Sequence, residues 1–174
     1  MVNLGKLRGT VAGASSVNAD RRLDNVFYGV SNLFDGGQHV VNNINYTYWL
    51  SDTATRHWVK LRFGDPVEIH SILVEFNAAE SAPGDETRPS RRPEGFAIDV
   101  RRLIGGSELV QKLPSVNVEG FRVIYPLKEP LTDVVELLVV FPGPSMIAVA
   151  ELEVLGIGSS RNSQQGEGPR LPDR

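Results

Sequence analysis

The sequence predicts an all-β fold, an antiparallel sandwich or barrel, and three observations predict it. Apolar and polar side chains alternate with a period of two along most of the chain, the spacing of a strand with one buried face. Turn-forming residues separate the alternating runs, and 17 glycines with 11 prolines suit many turns better than a helical bundle. Only Met146–Leu155 offers a rival helical reading, and strict alternation from Glu151 onward favours a strand there.

The elements justify this one by one. Trp58–Gly64 (W-V-K-L-R-F-G) turns Val59, Leu61 and Phe63 one way and Lys60 and Arg62 the other. Asp65-Pro66 is expected to break that strand. Glu68–Phe76 repeats the pattern, with Ile72, Val74 and Phe76 inward and Glu75 outward. Phe96–Arg102 follows, with Phe96, Ile98 and Val100 inward. Gly105-Gly106 then reads as a tight hairpin into Glu108–Leu113, because glycine accepts the positive φ such turns require. Phe121–Tyr125 sets Phe121, Val123 and Tyr125 on one face. Val134–Phe141 is nearly all apolar, as expected of a strand covered on both faces. Ala148–Leu155 closes the domain, with Val149, Leu152 and Val154 apolar and Glu151 and Glu153 between them. Leu137 and Val139 complete the expected core.

A chain of 174 residues and 19.1 kDa is one ordinary domain with room for a full core. Lys+Arg 18 against Asp+Glu 21 leaves a net charge of −3, so no global positive field draws in nucleic acid, and a dedicated nucleic-acid binder is disfavoured. The absence of cysteine excludes disulfides, thiol catalysis and Cys-ligated zinc. No apolar run approaches the roughly 20 residues of a membrane span. Met1–Gly13 lacks the apolar core of a secretory signal, which leaves a cytoplasmic protein or a module from a longer secreted chain. Ser159–Arg174 has Leu171 as its only large apolar residue and is expected to be a flexible polar tail or linker after a folded 1–158. That segment favours the module.

Motifs for catalysis are missing. His39, His57 and His70 do not stand at metal-ligand spacing, and there is no G-x-S-x-G, P-loop or H-E-x-x-H. Gly156-Ile157-Gly158 lacks the third glycine of a dinucleotide site. Ser81–Pro93 carries Asp85-Glu86 with Arg88, Arg91 and Arg92, and reads as a solvated loop or as a long binding loop. No catalytic residue is assigned. Asn45-Tyr46-Thr47 has the form of a glycosylation sequon.

Several stretches in order carry a resemblance: Asn3-Leu4-Gly5-Lys6, Ala14-Ser15-Ser16, Asp35-Gly36, Thr47-Tyr48-Trp49, Trp58–Gly64 and Ala150–Gly156. Together they resemble the discoidin or coagulation-factor C-type (F5/8 type C) domains, including family 32 carbohydrate-binding modules. The resemblance covers roughly Asn3 to Gly156, and it rests on order and spacing rather than on any one motif. It implies the galactose-binding-domain-like jelly roll, an antiparallel sandwich of about eight main strands.

The resemblance also implies one structural calcium. Its ligands would be Asp35, the backbone carbonyl of Asn32, Thr47, and Ala150 with Glu151, a hard-oxygen set of the kind calcium takes. Gly37 stands where members usually carry Asp or Asn, and Gln38–Tyr46 lengthens the following loop. Asn42, Asn43 and Asn45 would supply amide oxygens there or simply make turns. For the ligand, the resemblance implies a shallow sugar site in the loops at one end of the sandwich, where an aromatic face meets hydrogen-bonding side chains. The candidates are Phe27, Tyr28, Tyr46, Arg56, His57 and Arg88, with Tyr48, Arg91 and Arg92 nearby. Trp49 and Trp58 read as core or edge-packing residues. The expected function is a non-catalytic carbohydrate-binding module attached to other domains of a larger secreted or cell-surface enzyme. The alternative is a protein–protein or lipid-head-group interaction domain.

Overall fold

In the computed structural model, residues 1–17, 33–34, 40–41, 44–45, 48–53, 55–76, 91–143 and 145–158 are described. Their strands are β1 (Val2–Asn3), β2 (Val11–Ala14), β3 (Val40–Val41), β4 (Ile44–Asn45), β5 (Trp49–Leu50) and β6 (Arg56–Phe76). There follow β7 (Gly95–Ile104), β8 (Ser107–Lys112), β9 (Val116–Asn117), β10 (Arg122–Ile124), β11 (Leu131–Pro142) and β12 (Ala148–Ile157). A 3-10 turn, Leu4–Lys6, lies between β1 and β2 and buries Leu4. Every strand pair is antiparallel, and ten strands share one hydrogen-bonded network in the order β1-β12-β6-β11-β7-β8, with short strands at its margins. β3 and β4 pair separately.

β6 turns this network into a sandwich. It is 21 residues long, and its two halves have different neighbours. The first half lies between β2 and β11, the second between β12 and β10. Between the halves the ladder to β11 slips: β11 moves only from Glu136 to Val134 while β6 moves from Arg62 to Val67. Asp65-Pro66 falls inside this irregular stretch. The expected break is therefore a bend within one strand, since a residue with no N–H is tolerated where the ladder is already interrupted. On β11 the slip places Asp133 at a φ of 57°, a left-handed conformation that aspartate accepts more readily than most residues.

The core lies between the inner faces of the two halves. Each of the expected core residues, from Val59 and Leu61 to Leu152 and Val154, is buried in one cluster. Aromatic rings bridge the halves. Phe76 sits 6.1 Å from Phe141 and 6.5 Å from Phe96, and Phe141 stands 6.1 Å from Trp49. Tyr125 adds a polar tie, donating its hydroxyl to the Pro114 carbonyl at 2.5 Å.

Two glycine sites carry geometry that favours glycine. Gly105 and Gly106 have φ of 58° and 82° and join Ile104 to Ser107, so both central residues of the hairpin turn need positive φ. On β12, a Cβ at Gly156 would run into the carbonyl of Glu68, so β6 and β12 approach closely only because the side chain is absent. β11 differs from its expected double cover. Leu137, Val139 and Phe141 are buried, but Leu138 and Val140 are only half-buried, because the outer face of this half of the sandwich is open. The proposed tail, Ser159–Arg174, lies outside the described residues.

Candidate functional site

One end of the sandwich collects the chain reversals that the sequence assigns to ligand binding. β2 ends there, β6 and β12 begin there, and β11 stops at Pro142, opposite Arg56. Serines tie this end together. Ser15 extends the β2 ladder: its N–H donates to the Trp58 carbonyl at 2.9 Å, and its hydroxyl accepts from the Trp58 N–H at 3.1 Å. The Ser16 carbonyl accepts from the Trp49 indole at 2.8 Å, and its hydroxyl accepts from the Asp52 N–H at 3.0 Å. Ser51 is fully buried and exchanges two bonds with Ile147, its N–H donating at 3.0 Å and its hydroxyl accepting at 2.8 Å. The Ala14-Ser15-Ser16 and Thr47-Tyr48-Trp49 stretches are therefore joined to one another. Their described residues hold the loop bases in place.

Of the candidate ligand residues, Arg56 and His57 are described. Arg56 is exposed at the first position of β6, beside the end of β11. His57 is not in a loop. It is the next residue of β6 and points inward with Val59 and Leu61, fully buried. Burial lowers its pKa below 6.5, opposed by the backbone of Ser145, so the ring is held neutral. Neither ring nitrogen meets a hydrogen-bond partner among the described residues. A buried ring of this kind seals the end of the core, while Arg56 beside it is offered to solvent. Arg91 and Arg92 belong to the same end: the Arg91 carbonyl accepts from the Ala148 N–H at 3.0 Å, and the Arg92 guanidinium lies 5.1 Å over the Phe121 ring. Phe27, Tyr28, Tyr46 and Arg88 lie outside the described residues.

Of the calcium candidates, Ala150 and Glu151 are described, while Asn32, Asp35 and Thr47 lie outside. β12 has a register irregularity between Val149 and Glu151 against β6. It leaves Ala150 in a small outer cluster with Tyr48, Leu50 and Ala148, and Glu151 buried at 6% exposure directly opposite Glu75. A buried carboxylate is a hard-oxygen ligand of the kind a divalent cation takes. Among the described residues no three acidic or histidine side chains converge.

With this geometry in place, comparison with solved structures defines the class of fold. The chain matches a Ruminococcus gnavus GH29 fucosidase solved with fucose at a TM-score of 0.63 and 16% identity, covering 91% of this chain and 27% of that one. It matches a chitosan-binding module from a Paenibacillus chitosanase/glucanase at 0.62 and 17% identity, covering 90% of this chain and 100% of the module. It matches the family 32 carbohydrate-binding module of a Clostridium perfringens protein, solved with galactose, at 0.55 and 13% identity, covering 84% and 93%. F5/8 type C domains and a fucolectin match as well, and all are galactose-binding-like. The chain therefore has the galactose-binding-domain-like jelly-roll fold. The chain spans about a quarter of the fucosidase, 27% of its length. No protein-family model matches the sequence, and no curated protein is significantly similar to it.

Proposed function

We propose that this domain is a non-catalytic carbohydrate-binding module that takes a sugar at the loop-bearing end of the sandwich and works at the cell surface or outside the cell as part of a larger protein. The observation that carries the reading is the end-to-end match to a chitosan-binding module, 90% of this chain against 100% of that one. The exposed Arg56 beside the loop ends supports it, because sugar hydroxyls and carboxylates take charge-assisted hydrogen bonds. In this reading Phe27, Tyr28 or Tyr46 supplies the stacking face, and Arg56 with Arg88 the polar contacts. Calorimetry against galactose-, fucose-, glucosamine- and uronate-containing oligosaccharides tests it. Binding of a galactose-, fucose- or glucosamine-containing oligosaccharide in the millimolar range or tighter is expected, lost with Tyr28→Ala and weakened roughly 10- to 100-fold with Arg56→Ala. No binding by any of them overturns the reading.

One calcium belongs to the same proposal, held by Asp35, Thr47, the carbonyl of Asn32, and Ala150 with Glu151. Its support in the structure is the buried Glu151 carboxylate opposite Glu75.

A second reading, an interaction domain for a protein surface, is favoured by one observation. The β7–β8 hairpin exposes Ile104 and Leu109 on one face, and Leu103 and Val110 on the other. Ile104→Asp with Leu109→Asp should then abolish partner binding while sugar binding at the other end persists.

A further inference from the structure

The half of the sandwich made by β2, β6, β11, β7 and β8 has an open outer face whose side chains are set in rows by the strand registers. Across β6, β11 and β7 the rows run Trp58–Val140–Ala97, Lys60–Leu138–Asp99 and Arg62–Glu136–Arg101. Across β2 the neighbours are small or aliphatic, Gly13 opposite Lys60 and Val11 opposite Arg62. A Cβ at Gly13 would stand 3.9 Å from the Trp58 ring, so glycine leaves that flank of the indole uncovered. The Lys60 ammonium lies 5.5 Å from the centre of the same ring.

The charges on this face are not equally satisfied. Arg101 is held by Glu108 at 2.8 Å and by Glu136 at 3.6 Å, and these carboxylates raise its pKa further. Lys60 and Arg62 have no carboxylate within ion-pair reach among the described residues. Two positions apart on one strand face, they sit about 7 Å from each other. A depression of about 250 Å³ opens between them and the Arg101 cluster, lined by Lys60, Arg62, Arg101, Glu108, Val135 and Glu136.

We propose that this face is a second saccharide site, distinct from the loop end, for a sugar carrying a carboxylate or sulfate. The apolar C–H side of a pyranose would lie against Trp58, its acid group between Lys60 and Arg62, and its hydroxyls would donate to Glu136 and Asp99. A run of phosphates fits the face poorly. Glu108, Glu136 and Asp99 bracket the two cations and repel continuous negative charge, while they accept hydrogen bonds from hydroxyls. The choice of a saccharide rests on the proposed function of the domain; the choice of an anion rests on the face itself.

The chain has two tryptophans, which makes the test direct. Trp49 is buried with its indole N–H bound to Ser16, while Trp58 lies on the proposed site. The probes are a galacturonate tetramer, its methyl ester and a sulfated heparin-derived tetrasaccharide, followed by the two indole N–H resonances. The acid or the sulfated probe should move the Trp58 resonance and leave that of Trp49 in place; which of them does so separates carboxylate from sulfate. The neutral ester should bind at least about tenfold more weakly, as should Lys60→Gln with Arg62→Gln, a pair that removes both charges and leaves polar side chains in place. Added salt should weaken binding, because both cations face solvent. Equal affinity for acid and ester, or unchanged affinity in the double variant, overturns the proposal. Tyr28→Ala separates the two sites. Loss of uronate binding in that variant assigns all binding to the loop end and also overturns it. A Trp58 shift in a protein that binds no neutral sugar leaves this site standing and the loop-end reading fallen.

Discussion

Leu61 and His57 occupy the same face of one strand, yet their burial has opposite consequences. Leu61 is a fully buried aliphatic group at the centre of the core. Its truncation to alanine removes transfer energy and leaves a cavity, so Leu61→Ala should cost about 2–5 kcal/mol in urea unfolding. His57 is equally buried, but it titrates. Its pKa is lowered by burial, so below about 6.5 the unfolded chain binds a proton that the folded chain refuses. Stability from this residue is therefore intact above 6.5 and declines as the pH falls from there toward the lowered folded value. Denaturant midpoints of the native chain and of His57→Phe, each measured at pH 7.5 and pH 5.5, check this. The native chain should lose more stability than the variant over that interval; an equal loss in both would mean that the ring charges as freely folded as unfolded. The hydroxyl of Tyr125 makes a smaller contribution. Removing it with Tyr125→Phe leaves the Pro114 carbonyl without its bond and should cost about 0.5–1.5 kcal/mol.

At the scale of the element, β6 and β12 decide the architecture. β6 serves both halves because its ladder slips at Gly64–Pro66, where an interrupted register tolerates proline. β12 completes the second half only by lying close to β6 at Gly156. A methyl group there would meet the Glu68 carbonyl, a backbone atom that cannot swing aside. Gly156→Ala should therefore destabilise by about 1–3 kcal/mol or more, read as a lower melting temperature, with loss of β1 pairing because Val2 faces Gly156. The hairpin glycines behave differently. Gly105 and Gly106 have open space around them, so alanine there is resisted only by backbone strain. Gly106→Ala should cost about 1–2 kcal/mol and leave the core unchanged.

For the whole molecule, the decisive measurement is linkage to calcium. If Asp35, Thr47 and Glu151 share one ion, millimolar calcium should raise the melting temperature over that in EDTA, because the folded state alone assembles the site. Asp35→Ala and Glu151→Gln should each remove the difference, although the two residues are far apart in the chain. Identical melting curves in calcium and in EDTA would leave Asp35 as a turn residue and Glu151 as a carboxylate held by protein groups alone.

The core was legible because burial on a strand follows a period of two, a purely local pattern: Val59, Leu61 and Phe63, then Ile72, Val74 and Phe76, face inward as their alternation requires. The Gly105-Gly106 turn was legible for the same kind of reason, since positive φ is a property of single residues. The ordered motifs from Ser15-Ser16 to Ala150–Gly156 indicated the family of folds, and the chain has that fold. Other features depended on which strand lies beside which. Nothing local shows that Asp65-Pro66 bends a strand instead of ending one; the slip against β11 decides it. His57 reads as a loop residue until the ladder reaching Arg56 draws it into β6 and turns it inward. Val134–Phe141 reads as covered on both faces until the packing leaves Leu138 and Val140 at an open surface. The rows that set Lys60 and Arg62 beside Glu136 and Arg101 join three strands far apart in sequence. Alternation along a strand is set by the backbone of that strand, so the sequence alone determined which residues are buried together. Register between strands is a long-range choice, so only the tertiary structure decided which side chains meet on the outer face and at the loop end.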